Sequence, residues 1–148
     1  MTSQQPSAER PERVLADLLA LLAIADQAIV LLERAEAVLL ACAAPEEPPH
    51  AVVREGGRLA GEYHRLWVWS LDFAPHAGPG SLERRLSDLV MQHYRLLQAT
   101  VRRAFPQRPL RIATPTANAA EDLGRWAGEL RSVRDELDLW ITALAPTR

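Results

Sequence analysis

The sequence predicts an all-α protein, an up-down-up-down four-helix bundle with a long apolar first helix. Apolar residues recur at intervals of three and four over four stretches, which is the period of a helix with one buried face. Three segments rich in proline or glycine, at 44–50, 74–80 and 105–116, separate these stretches. No stretch alternates apolar and polar residues as a half-buried strand does. The length of 148 residues is that of one domain.

The first helix, predicted over 11–43 after a disordered tail at 1–10, is apolar around nearly its whole circumference. At 1.5 Å per residue it extends for roughly 50 Å, against about 36 Å for the later helices. A four-helix bundle has no central helix that could be covered on all sides. Leu19 and Leu31 are therefore predicted to contact a partner, in a homodimer or a hetero-oligomer formed through the first helix.

The other three helices are predicted over 51–73, 82–104 and 118–144. Ser81 precedes the third helix as a favourable N-cap. Asn118 with Glu121 is a variant of the capping box at the start of the fourth. The fourth helix has the most regular apolar spacing, which is typical of antiparallel bundle packing.

The run GEYHRLWVW at 61–69 concentrates polar and aromatic side chains in the second helix. Tyr63 is predicted to face the core, whereas Trp69 points outward. Trp69 is expected to be covered by a partner, because Trp is enriched in interfaces, or by the 74–80 segment. Folding the second and third helices back on each other brings Tyr63 level with His93, and the next turn brings Glu129 near. Because an unpaired buried polar group costs about 1–3 kcal/mol, Tyr63 or Glu129 is expected to hydrogen-bond His93. The alternative, an active site formed by the three side chains, would need an open cleft.

Basic residues are concentrated in one part of a chain whose formal net charge is −2. Residues 82–111 contain seven Arg and two acidic residues, and the protein has no Lys. The candidate anion-binding residues are Arg84, Arg95 and Arg102 on one line of the third helix, continued by Arg103, Arg108 and Arg111. Such a line can bind the phosphates of a nucleic acid or an acidic protein surface. The alternative is a solvated helix face that pairs with acidic neighbours in the bundle.

Arg58 and His64 lie on the second helix with five residues between them. This spacing resembles the Arg-x(4–6)-His pair of HEPN-type ribonucleases, which are small all-helical proteins that act as dimers. The resemblance covers seven residues, and Leu59 follows the Arg where a polar residue is usual. It implies an RNA-cleaving site at Arg58 and His64, whereas the alternative is that Arg58 only solvates the outer face of the helix.

Several other kinds of site lack support in the sequence. Cys42 is the only cysteine, which excludes an intrachain disulfide and a cysteine zinc site. Glu62 and His64 diverge on a helix, and no Glu-x-x-His occurs, so no metal or cofactor is expected. No nucleotide-binding loop or nucleophile elbow is present.

Arg without Lys is typical of a GC-rich genome, and a bacterial protein is expected. The expected location is the cytoplasm, because the apolar run 18–32 is shorter than the about 20 residues that cross a bilayer and the charges before it do not fit a signal peptide. The expected function is that of a non-catalytic scaffold, adaptor or accessory subunit acting through protein–protein contacts. The alternative is a nucleic-acid-binding or HEPN-like RNA-cleaving bundle.

Overall fold

The structure is a computed structural model that describes residues 11–73, 80–104 and 119–145. Within these ranges the chain forms five α-helical segments and no strands. The segments are α1 (Pro11–Val30), α2 (Leu32–Ala43), α3 (His50–Ser70), α4 (Leu82–Ala104) and α5 (Ala119–Leu144). The tail at 1–10, the cap at Asn118, and Arg108 and Arg111 of the candidate anion-binding set lie outside the described residues.

The first helix of the bundle, predicted as one element over 11–43, is divided at Leu31 into α1 and α2. Leu31 keeps right-handed backbone angles, with φ −79° and ψ −12°. Its carbonyl accepts a hydrogen bond from the amide of Ala35 at 3.0 Å. The helical path therefore continues through the break, and α1 and α2 together act as the first helix of the bundle.

Leu31 does not face a partner, and this part of the interface prediction is wrong. Its side chain is only 2% exposed. Ala28 and Ala35, about one turn before and one turn after, are also buried. Leu31 thus belongs to the inward side of the first helix, where its side chain fills the core.

Neighbouring helices run antiparallel, and the contacts between their side chains show the direction. Later positions on the first helix meet earlier positions on α3: Ala28 contacts Tyr63, whereas Arg34 pairs with Glu55. The same reversed order relates α3 to α4 and α4 to α5, and α5 returns beside α1. The contacts are Tyr63–His93, Gly56–Val101, His93–Trp126, Arg85–Glu136 and Asp26–Arg134. The fold is the predicted up-down-up-down four-helix bundle.

The core is filled mainly by aliphatic side chains from all four helices of the bundle. The largest aliphatic side chains that are fully buried are Leu21, Ile24, Leu31, Leu59, Leu86, Leu97, Leu130 and Leu137. On α5 the partly buried Ile141 continues the core beyond Leu137, while Trp140 remains 57% exposed. Glu136 pairs with Arg85 near the start of α4, so Trp140, one turn later, lies past the end of that helix.

Gly56 is the position where α3 approaches two other helices most closely. A Cβ atom there would lie 2.7 Å from a methyl group of Val101 and 3.0 Å from one of Val38. The absence of a side chain therefore lets α3 pack against α4 and α2 at the same level. Gly57 and Gly61 have open space at the corresponding positions.

Candidate functional site

The outward side of α1 and α2 carries exposed apolar residues, which we call the first-helix face. The face consists of Ala16, Leu19, Ala23, Val30 and Ala37, all of them exposed. Leu19 is 48% and Val30 67% exposed. Their spacing of about one or two turns places them in one row along the helix. The predicted interface residue Leu19 therefore lies on a surface that other exposed apolar residues extend.

The first helix exposes this face although its opposite side already packs in the core. Leu21, Ile24 and Ala25 are almost completely buried on that inward side. Only 33% of the most apolar stretch within Glu12–Ala43 is buried. By length and composition alone this helix could also cross a membrane. The length of the apolar run alone therefore does not distinguish a helix of the bundle from a membrane span.

Trp69, the third predicted interface residue, is 42% exposed. It follows Glu55 on α3 by about four helical turns, so both residues are on the same flank of that helix. Glu55 pairs with Arg34 of α2, which identifies this flank as the one that borders the first helix. Trp69 can therefore add aromatic surface at the edge of the first-helix face.

A shallow cleft of about 290 Å³ opens between α2 and α3 beside the first-helix face. Its walls are largely apolar, and an ion pair lies at its edge, where Arg34 Nε donates to Glu55 Oε1 at 2.6 Å. The lining residues are Arg34, Ala37, Val38, Ala51, Val52 and Glu55. The sequence analysis did not identify this cleft, because it depends on how α2 and α3 pack.

The predicted polar layer brings Tyr63 and His93 together in the core. Both side chains are fully buried, and their rings stack with centroids 5.3 Å apart. The Tyr63 hydroxyl donates a hydrogen bond to the carbonyl of Ala28 at 2.9 Å. His93 Nδ1 lies 2.6 Å from the Leu89 carbonyl, which can only accept, so this nitrogen carries the proton. His93 Nε2 is then an acceptor, and it has no partner within the described residues.

The expected hydrogen bond to His93 from Tyr63 or Glu129 is wrong. Each ring of the stacked pair bonds instead to a backbone carbonyl, Tyr63 across to α1 and His93 to the preceding turn of α4. Glu129 is exposed. The residues of α5 that face the core at this level are Ala127 and Leu130. The layer therefore consists of two side chains. The ring centroid of Trp126 lies 6.1 Å from that of His93.

Burial determines the protonation of this pair. Desolvation lowers the pKa of His93 from its ordinary value near 6.5, and the hydrogen bond to Leu89 opposes this effect only in part. Desolvation, together with the charge of Glu62, raises the pKa of Tyr63 well above its usual range. Both side chains are neutral near pH 7. Because both are also inaccessible to solvent, they do not form an open active site.

Arg58 and His64 lie on different flanks of α3. Arg58 Nη1 is 3.5 Å from Glu55 Oε2, on the flank that borders α2. The centroid of the His64 ring lies 5.0 Å from that of the Tyr94 ring, on the flank that borders α4. The folded chain therefore does not bring these two side chains into one site.

The arginine line of α4 is exposed, as expected from its position opposite the core. Arg84, Arg95, Arg102 and Arg103 are all exposed. None of the four forms an ion pair in the part of the chain that the structure describes. Their solvated positions are compatible with either interpretation of this line.

The fold adds two further arginines to this region, on the neighbouring helix α3. Arg54 and Arg65 are exposed and lie about half a turn away from the buried Tyr63. Across 11–73, 80–104 and 119–145, neither is part of an ion pair. The sequence did not reveal them, because only the packing of α3 against α4 brings the outward sides of these two helices beside each other. We call the outward surface of this helix pair the α3–α4 face.

The described residues offer neither a cluster of metal ligands nor a reactive thiol. No group of three or more His, Cys, Asp or Glu residues is arranged to hold a metal ion within the ranges described above. Cys42 is partly buried, and this burial raises the pKa of its thiol, which lowers its reactivity.

Comparisons with protein-family models, with curated proteins and with solved structures find no match for this chain. The function is therefore inferred from the surfaces of the bundle itself.

Proposed function

We propose that this protein is a non-catalytic scaffold, adaptor or accessory subunit that acts through protein–protein contacts at the first-helix face. The observation that supports the proposal is the outward row of exposed apolar residues on a helix whose inward side already fills the core. Contiguous exposed apolar surface on a soluble protein usually marks an interaction site. A partner would remove this surface from water, which contributes roughly 25 cal/mol per Å².

The proposed location is the cytoplasm, with the first helix packed in a soluble bundle rather than inserted in a membrane. The segment 11–43 contains five acidic and two basic residues. Helices that lie on lipid surfaces are usually rich in basic residues, because those surfaces are anionic. In addition, Asp26 accepts a hydrogen bond from Arg134 of α5 at 2.8 Å. Insertion of α1 in a bilayer would break this ion pair and desolvate Asp26, which is costly.

The enclosure of His93 supports a non-catalytic role. Its Nε2 atom is a buried acceptor without a partner in the described part of the chain, a feature that can mark a catalytic base. The side chain is 0% exposed, however, and the rings of Tyr63 and Trp126 lie against it. A substrate would have to separate α3, α4 and α5 to reach this nitrogen.

The proposal can be tested by the native size of the tagged full-length chain in a cell lysate. The wild-type chain is expected to elute in a complex larger than a monomer. Ala23→Arg places a charge in the centre of the first-helix face, so we expect this variant to elute as a monomer. Ser132→Arg adds the same charge at an exposed position on the outward side of α5 and is the matched control. Elution of the wild-type chain as a monomer would contradict the proposal.

A second candidate function, nucleic-acid binding, is favoured by one observation on the α3–α4 face. Arg54, Arg65 and Arg95 are exposed on adjacent helices, and none of them forms an ion pair within the described ranges. If they bind phosphates, affinity for RNA should fall linearly with the logarithm of salt concentration, and Arg95→Gln should lower that slope by about one. Arg131→Gln, at an exposed arginine of α5, is the control. Equal slopes for the two variants would exclude this surface.

A further inference from the structure

We infer that the partner of the first-helix face is a second copy of this chain, packed antiparallel with Ala23 of both copies at the twofold axis. The inference rests on the proposed function, because it identifies the partner of the same surface. In such an interface a residue that precedes Ala23 by a given number of positions meets the residue of the other copy that follows Ala23 by the same number. The charges and the side-chain sizes of the face support this arrangement.

The charges at the two ends of the face are complementary in this register. Glu12 and Arg34 lie eleven residues before and eleven residues after Ala23. The antiparallel arrangement therefore sets Glu12 of each copy opposite Arg34 of the other. Glu12 is exposed, and the Arg34 side chain remains 45% exposed beside Glu55. A parallel arrangement would instead set Glu12 against Glu12 and Arg34 against Arg34, which is repulsive.

The side-chain sizes at Ala23 and seven residues on either side of it also fit an antiparallel pair. Ala23 at the axis has the smallest side chain that favours a helix, so the two helices can approach to about 8–10 Å. Ala16 and Val30 lie seven residues on either side of Ala23. Each Val30 of one copy is thus opposite Ala16 of the other. A large residue opposite a small one allows the side chains of the two helices to interdigitate.

The overlap of the two first helices sets the size of this contact. With Ala23 at the axis, residues 11–35 of the two copies lie side by side. This overlap extends for roughly 36 Å, and a helix with side chains is about 10–12 Å across. The contact therefore covers roughly 400 Å² on each copy and about 800 Å² in total, which is the size of a weak, transient interface. We expect a weak dimer that forms toward the upper end of the micromolar range.

Sedimentation velocity of the purified full-length chain over about 1–200 μM tests the dimer and its register. The wild-type chain should change from monomer to dimer, and Ala23→Arg should remain a monomer. Glu12→Arg should weaken the dimer by about threefold to tenfold, because two ion pairs are replaced by like charges. Combining it with Arg34→Glu should restore the affinity. Glu36→Arg makes the same change of charge at an exposed position off the face and should have little effect.

Engineered disulfides test the axis directly, in a Cys42→Ser background that removes the native thiol. Ala23→Cys should form a covalent dimer on oxidation, because both copies present this position at the axis. Val30→Cys alone should not crosslink, whereas Val30→Cys together with Ala16→Cys should. Crosslinking of Val30→Cys alone, with none for Ala23→Cys, would contradict the register.

The outcomes separate this inference from the proposed function. A folded wild-type chain that remains monomeric at 200 μM contradicts the dimer. If Ala23→Arg still reduces the native size in lysate, the face binds another protein and the proposed function is retained. If the wild-type chain also elutes from the lysate as a monomer, both proposals fail. Flotation with phosphatidylcholine–phosphatidylglycerol vesicles that Ala23→Arg abolishes would identify a lipid surface as the partner and contradict both.

Discussion

The rings of Tyr63 and His93 stack at 5.3 Å in the centre of the bundle, yet neither donates a hydrogen bond to the other. Tyr63 donates to the carbonyl of Ala28 on α1, while His93 donates to that of Leu89 on its own helix. The pair therefore connects α1, α3 and α4. A proton on His93 Nε2 would be buried without an acceptor from the described residues, so the imidazole is kept neutral.

The stability of the protein should fall as the pH is lowered through the range in which His93 titrates in the unfolded chain. The unfolded residue takes up a proton near pH 6.5, whereas burial lowers the pKa of the folded residue. The unfolded state then binds more protons, so the free energy of unfolding decreases as pH falls. Urea denaturation between pH 7.5 and 5.5 should show this decrease, with a slope of at most about 1.4 kcal/mol per pH unit from this residue.

Two variants assign this pH dependence to one histidine. His93→Gln cannot titrate, so its unfolding free energy should vary less with pH than that of the wild-type protein, whatever its absolute stability. His93→Asn likewise cannot titrate and should show the same reduced slope. If His93→Gln showed the wild-type slope, the neutral buried imidazole would not be the source of the effect.

Tyr63→Phe should destabilise the protein by about 0.5–1.5 kcal/mol, since it removes a buried hydrogen bond but retains the stacked ring. The free energy of unfolding from urea titration at pH 7.5 measures this loss. Tyr94→Phe is the matched control, because the Tyr94 side chain is only partly buried. A smaller loss for Tyr63→Phe than for Tyr94→Phe would be inconsistent with the observed bond between α3 and α1.

Gly56→Ala and Gly57→Ala should change stability in opposite directions. At Gly56 a methyl group would collide with Val101 and Val38, whose branched side chains adjust poorly. We expect a net loss of about 1–2 kcal/mol, because crowding outweighs the gain in helix propensity. At Gly57 nothing lies within 4 Å of the added carbon, so the variant should gain up to about 1 kcal/mol. Thermal denaturation of both variants measures these changes. Stabilisation of both variants would contradict the close packing of α3.

The N-cap of α4 should contribute measurably to stability. The Ser81 hydroxyl accepts a hydrogen bond from the backbone amide of Arg84 at 3.2 Å. Ser81→Ala removes this acceptor and should cost about 1 kcal/mol in urea denaturation. Ser132→Ala, at an exposed position within α5, should change the stability by less than about 0.5 kcal/mol. Equal effects of the two substitutions would argue against the cap.

The sequence was sufficient to predict the helices and their order, because both depend on local signals. The third predicted helix, 82–104, coincides with α4, which begins directly after the capping residue Ser81. Tyr63 and His93 were placed at one level, since proline- and glycine-rich segments end the helices and short connections make neighbours antiparallel. The apolar period of α3 and α4 also placed Tyr63 and His93 on the inward sides of these helices.

The details that the sequence did not reveal depend on competition between contacts in three dimensions. Leu31 was assigned to an interface, but its position between Ala28 and Ala35 places it in the core. A hydrogen bond between Tyr63 and His93 was expected, but backbone carbonyls compete successfully for both donors. No local pattern in one chain shows whether a partner covers the outward side of the first helix, because this depends on the assembly.

The central claim, that another protein chain covers the first-helix face, is tested most directly by photo-crosslinking in living cells. A photoreactive p-benzoylphenylalanine would replace Ala23 on the face or, as a control, Ser132 on the outward side of α5. We predict a discrete protein adduct from position 23 after irradiation and none from position 132, with a mass near twice that of the chain if the partner is a second copy. Absence of any protein adduct at position 23, in a chain shown to be folded, would contradict the account.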